Sequence, residues 1–330
     1  NLLSKFNVKE ITAKVIINTD GDIKHWKEPA RDTIQPLLLA YQTGLETGDI
    51  EFAAYCAFYG CCNSYFVGSE LLELQKEVAT YSQAFGKLKQ ETAFSWSEIH
   101  RQGILNLIEP TDNPGRLVGE AYNEEKSLSF HQQVNDRLAL HVTYSHKLVL
   151  NYLFEEVEEA VKNAAKAENY LDGVTAMLAI PAFYLYDSLA RLQWSNNRDN
   201  PDVETQLEKV AANQKKMQKW ATHAPMNHAH KFNLVEAERY RVMGEYLEAM
   251  KYYDRAIAGA KENGYTQEEA IANELAAKFY LQWGNDKIAA VYISDAYYAF
   301  ARWGAKAKVE DLETRYRELL RPVIARQQAN

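Results

Sequence analysis

MGEYLEAMKYYDRAIAGA, residues 243–260, places a glycine two residues before a tyrosine, then sets Ala249, Tyr253 and Ala256 at helical spacing. Small residues at that spacing mark a helix face that packs closely on a neighbour. The question is whether this is one helix among many or one unit of a repeat. Tyr240, Gly244, Ala249, Tyr253 and Ala256 recur forty residues on as Tyr280, Gly284, Ala289, Ile293 and Ala296. A weaker copy lies in LFEEVEEAVKNAAKA, with Ala160, Ala164 and Ala167 at the small positions. Another lies in LETGDIEFAAYCAFYG, with Gly48, Ala53, Ala57 and Gly60.

These spacings resemble those of tetratricopeptide repeats, in which a glycine lets the chain reverse between antiparallel helices and alanines let neighbouring backbones approach. The period of forty exceeds the usual value of about thirty-four, so longer helices or loops are expected. The fold class read here is all-α: a right-handed α-solenoid of tetratricopeptide-like helix pairs. Helical periodicity runs through nearly the whole chain, and alternating segments flanked by hairpin turns are missing. Gly48, Gly68, Gly244, Gly264, Gly284 and Gly304 follow amphipathic runs as C-terminal caps should. Thr266 and Glu269 read as a capping box. Further helices are expected over 69–89, 91–108, 124–150, 168–192 and 203–221, with Pro181 kinking or splitting the fourth. EPTDNPGR (109–116) and SNNRDNPD (195–202) are the most loop-like stretches, too short to be domain linkers. One domain over 1–320 is expected, with 321–330 as a connector to a following domain.

The net charge of −8 over 330 residues argues against a nucleic-acid partner, which needs a basic field. No apolar run is long enough to span a bilayer. Cys56, Cys61 and Cys62 lack metal-ligand spacing and read as reduced thiols of a cytoplasmic protein. The chain begins at Asn1 without a signal peptide, which suggests a piece of a longer protein.

HWKEP (25–29), LETGDIEFAAY (45–55), GEAYNEEKSL (119–128), HQQVNDR (131–137), KVAANQKKMQKWATHAPMNHAHKF (209–232) and DAYYAFARWGAKAKVEDLE (295–313) occur in that order. Together they resemble the helical-repeat region of large multidomain signalling proteins typical of cyanobacteria. Those proteins join a serine/threonine-kinase-like domain, a STAND-type ATPase, the repeat region, a GAF domain and a histidine kinase. The resemblance spans roughly residues 10–320 and implies a non-catalytic connector between the ATPase and the kinase output. Family repeat regions extend further toward the N-terminus, so this chain resembles their C-terminal portion.

No enzyme motif is found. Gly86-Lys87 lacks the upstream glycine and following hydroxyl of a phosphate loop, and neither HExxH nor GxSxG occurs. No cofactor is expected. His223, His228 and His230 could lend ligands to zinc, but no carboxylate or thiol stands at ligand spacing; packing or capping is the plainer reading. His141 and His146, five apart, point to different helix faces. Glu155, Glu156, Glu158 and Glu159 read as a solvated helix start, Lys209, Lys215, Lys216 and Lys219 as a solvated basic face. Tyr292, Tyr297, Tyr298, Phe300 and Trp303 read as inter-repeat core.

If first helices line a concave groove, the partner-binding candidates are Lys231, Glu238 and Arg241 of one unit and Glu274 and Lys278 of the next. Glu274 and Lys278 can also satisfy each other four residues apart. The expected partners are the adjacent ATPase and kinase domains of the parent protein or another protein, without nucleic acid or membrane; self-association through end repeats is a further option. The alternative function is a sensor with a small-molecule inducer inside the superhelix, suggested by the 21 tyrosines.

Overall fold

Gly48, Gly68, Gly244, Gly264, Gly284 and Gly304 hold φ between 74° and 87°, the left-handed conformation that ends a helix without a Cβ clash. Beyond each of the last four, the next amide bonds back to a carbonyl five residues earlier. Glu245 does so to Tyr240 at 2.9 Å and Asn285 to Tyr280 at 2.8 Å. That bond closes one helix, and the residue that makes it caps the next. Lys89, Asn135 and Glu155 adopt the same conformation, at φ 57°, 53° and 66°. The amides of Gln90, Asp136 and Glu156 make the same return bonds, to Phe85, His131 and Asn151. The reversal thus recurs in the middle of the chain without its glycine.

The computed structural model describes residues 9–195 and 203–328, so the expected loop over 195–202 lies, beyond Ser195, outside the described residues. The α-helices are α1 (Thr12–Ile16), α2 (Ile34–Thr47), α3 (Ile50–Phe66), α4 (Leu71–Lys87), α5 (Glu91–Ile108), α6 (Glu124–Gln133), α7 (Arg137–Leu153) and α8 (Val157–Glu168). They continue with α9 (Ala179–Ser195), α10 (Val203–His223), α11 (Pro225–Val242), α12 (Tyr246–Glu262), α13 (Thr266–Gln282), α14 (Asp286–Trp303), α15 (Lys306–Arg315) and α16 (Arg317–Gln328). Between α1 and α2 the chain runs through a π-helical stretch, Ile17–Ile23, and two 3₁₀ turns, Lys24–Trp26 and Ala30–Thr33. Among the described residues the only β feature is an isolated bridge between Val118 and Asn123.

From α2 onward the helices alternate between two layers of a solenoid. Odd-numbered helices such as α7, α9 and α13 are buried on nearly every side, whereas even-numbered α4, α8 and α12 bury one stripe. A helix without a polar face belongs inside, and an amphipathic one outside. The small residues do what their spacing implies: Ala160, Ala164, Ala249, Ala256, Ala289 and Ala296 are all buried at helix contacts. The inner helices then meet one another. Helix α15 packs on α5, and Gln267 of α13 donates to the Phe66 carbonyl at the end of α3 at 2.7 Å. Contacts between inner helices thus reach beyond sequence neighbours.

Several boundaries differ from expectation. The helix expected over 124–150 is two, α6 and α7, split at left-handed Asn135. Pro181 neither kinks nor splits a helix: it sits in the first turn of α9, where its missing N–H has no partner to lose. Helix α13 begins at Thr266 as expected, but Tyr265 is the cap and no side-chain cap forms; Glu269 instead pairs with Arg302 at 2.8 Å. Leu320 and Val323 of α16 are buried in the common core, so helix continues through the residues expected to start a connector. Cys56, Cys61 and Cys62 are free and buried.

Candidate functional site

The five charged residues assigned to the inner face lie on the inner helices α11 and α13. Lys231, Glu238 and Glu274 are buried, and all five have partners within the chain. Inner helices pack on one another here, α9 on α11 and α15 on α5.

Glu274 and Lys278 pair at 3.0 Å, and both belong to a larger network. Lys308 of α15, fully buried, reaches Glu274 at 3.1 Å and Asp311 at 2.8 Å. It also donates to the Leu153 carbonyl at 2.7 Å. Lys278 continues to Glu155 at 2.8 Å, and Arg315 joins Glu155 and Asp311 at 2.5 and 2.6 Å. Six charges thus tie α13 and α15 to the turn between α7 and α8. Burial acts to raise the Glu274 carboxyl, but Lys278 and Lys308 outweigh it and hold it down to about 2. The carboxylate stays charged because two ammonium groups replace its lost water. On α11, Arg241 chelates Glu238 at 2.7 Å, and Glu238 also accepts from the Tyr253 hydroxyl.

A second polar hub forms at the start of α11, where Pro225 occupies the first helical position. Lys231 reaches Glu268 at 2.8 Å and lies over the Tyr265 ring at 4.0 Å; His230 also pairs with Glu268. Burial and neighbouring Lys231 keep His230 neutral, lowering it to about 4 despite that carboxylate. Asn227, one turn earlier, binds the HWKEP segment. Sequence reading quoted HWKEP and PMNHAHK separately, and nothing in a single sequence says that strings two hundred residues apart meet. Lys308, Arg315 and Asn227 were missed for that reason. His223 stays exposed while His228 and His230 are buried, and no group of three or more ligand-type side chains suited to a metal occurs among the described residues.

The interior holds one further feature. Helices α3, α5, α7 and α9 enclose a mainly apolar cavity of about 40 Å³ lined by Tyr65, His100, His141, His146, Phe183 and Tyr186 among others. His100 Nδ1 and His146 Nε2 share a hydrogen bond at 3.0 Å. His141 Nδ1–H donates to the Ala167 carbonyl at 3.1 Å, which leaves Nε2 to accept from the Ser145 hydroxyl at 3.0 Å. Burial lowers His100 and His141 to about 4, so these are uncharged rings wedged into core. His141 and His146 thus border one cavity although their helix positions diverge.

The outer layer offers more room. Between α12, α13 and α14 runs an open groove of about 580 Å³ lined by Ile257, Lys261, Asp295, Tyr298 and Arg302. At the other end of these helices, at the hairpin tips, Met243, Leu247, Trp283, Ile288 and Val291 are exposed. Tyr246 and Trp283, with rings 5.6 Å apart, join the two tips. No helix among the described residues is long and apolar enough to cross a membrane. No protein-family model matches the chain, and no curated protein matches it either.

Proposed function

We propose that this chain is a non-catalytic scaffold that carries a signal between neighbouring domains of a cytoplasmic multidomain sensor kinase, docking on an ATPase and passing its nucleotide state to a kinase output. The observation that carries the reading is the distribution of charge and access. Inner-layer charges are satisfied within the chain, while the outer α12 and α14 leave a groove and an apolar ridge open to a partner. A solenoid held by neighbour contacts can change curvature through small rotations summed over its interfaces, giving states that a bound domain can bias. In this reading Lys231, Glu238, Arg241, Glu274 and Lys278 set the curvature from inside, and docking uses the outer helices.

The test is isothermal titration of the chain with the separately expressed ATPase domain, once with an ATP analogue and once with ADP. The expected result is an affinity that differs between nucleotides and weakens when Leu247→Asp and Val291→Asp are introduced together. No binding in either state overturns the reading. The inducer-sensing alternative would require the interior to open first, because 40 Å³ is far below the roughly 300 Å³ at which ligand pockets begin.

A further inference from the structure

The segment Lys24–Thr33 leaves the start of the chain and lies against the N-terminal ends of α11 and α13, held by a few identifiable contacts. The Asn227 side chain supplies three of them. Its Oδ1 accepts from the Ala30 amide and the Tyr265 hydroxyl, both at 3.0 Å, and its Nδ2 donates to the carbonyls of His25 and Glu28, both at 2.7 Å. Trp26 donates to the Ala176 carbonyl at 3.2 Å and lies 5.5 Å from the Trp220 ring and 5.7 Å from that of His228. Arg31 spans the carbonyls of Val67 and Gly264 at 3.0 and 2.8 Å, bridging the end of α3 to the turn before α13.

Beneath these contacts several buried polar atoms lack partners. Neither ring nitrogen of His228 has one, Asp22 Oδ1 has none, and His25 has only the Ala176 carbonyl near it, outside hydrogen-bond geometry. Unpaired buried groups subtract from the free energy of docking. The contacts of α11 with α10 and α12, by contrast, are made between the helices themselves and do not pass through Lys24–Thr33.

We propose that Lys24–Thr33 is a releasable strap that clamps the first helix pair to the starts of α11 and α13, and that its release opens the inner layer where Lys231, His230 and Glu268 lie. The strap is one of several ties between helices distant in sequence, beside the Gln267 bond to the Phe66 carbonyl and the charge network at Glu155. It is a regulatory device distinct from partner docking, and its test involves no partner, so failure of the scaffold reading leaves it standing and the converse also holds.

The experiment is hydrogen exchange of the full chain, read by mass spectrometry at constant pH. Peptides covering 24–33 and the first turns of α11 and α13 are expected to exchange about tenfold or more faster than those of α7 and α9, through an opening smaller than global unfolding. Asn227→Leu should accelerate the strap by about another tenfold while leaving α7 and α9 unchanged, and Arg31→Ala should do so by less. Strap amides as slow as those of α7 and α9 in the unaltered chain overturn the proposal, as does a uniform acceleration of all helices in Arg31→Ala. Should Asn227→Leu fail to fold, the unaltered chain and Arg31→Ala still decide.

Discussion

The α11–α14 hairpins and the stretch from α4 to α8 use the same backbone device with different residues. In the first, Gly244, Gly264 and Gly284 turn the chain; in the second, Lys89, Asn135 and Glu155 do, all at positive φ. A left-handed residue with a Cβ costs roughly 1–2 kcal/mol, so the central reversals must draw stability from elsewhere. At Glu155 the source is visible: its carboxylate joins Lys278 and Arg315, fastening the α7–α8 turn to α13 and α15. The repeat is a property of the backbone, and glycine is one of two ways to hold it.

If tertiary charge substitutes for glycine at that turn, cutting the network should be the costliest change. Glu274→Gln leaves buried Lys308 with Asp311 and a carbonyl but without its shared carboxylate. Breaking a buried pair from one side typically costs about 3–5 kcal/mol, and a denaturant midpoint lowered accordingly is the expected result. A loss below about 1 kcal/mol, the level of a surface pair, would mean the ends of the solenoid are held by packing alone.

Acid should act next, and on both regions. His25, His100, His141 and His230 are buried and lowered to about 4, against an ordinary value near 6.5 when unfolded. The unfolded chain therefore binds more protons between these values, so stability present above pH 6.5 is lost as pH falls below it. By pH 5.5 each such histidine should cost about 1 kcal/mol. His228 is also lowered well below the ordinary value, by burial and then by Lys231, His230 and His25. Melting temperatures measured from pH 7.5 to 5.5 should fall steadily. A flat profile would show that water reaches these rings.

How much of this was legible depended on which device held each turn. In residues 240–304 glycine, tyrosine and alanine recur on a fixed period because each helix pair turns on a glycine and packs closely on the next, and the helix pairs could be read directly. Between 109 and 178 left-handed positions are filled by residues other than glycine, Asn135 and Glu155 among them, so no glycine marks the break and α6 and α7 read as one helix. Spacing from the glycines makes legible which helices carry the five inner-face charges, α11 and α13. Their burial was not legible. Whether an inner face is open depends on how tightly the superhelix winds, and contacts such as Lys308 to the Leu153 carbonyl decide that.

Packing should be less sensitive to the difference than charge. Ala164 of α8 and Ala289 of α14 are both fully buried, one in a region without glycine and one beside it. Ala164→Leu and Ala289→Leu should each overpack a helix contact and cost about 1–3 kcal/mol. Similar losses in thermal unfolding would show that the small positions are equivalent in both regions; a tolerated Ala164→Leu would mark the centre as the looser stack.

The smallest expected effect isolates the backbone itself. A Cβ built on Gly284 meets nothing within 4 Å, yet the residue sits at φ 78°. Gly284→Ala should therefore cost only left-handed strain, about 1 kcal/mol. Lys89, at φ 57°, makes no ion pair among the described residues, so Lys89→Gly is the reverse experiment: strain is relieved while chain entropy is lost on folding. A net gain of up to about 1 kcal/mol is expected. Opposite signs for the two variants in paired denaturation curves would establish that both regions turn on one conformation and differ only in who supplies it. A loss at Lys89→Gly would instead mean that the lysine side chain stabilises the α4–α5 turn by more than its strain, extending to that turn the compensation seen at Glu155.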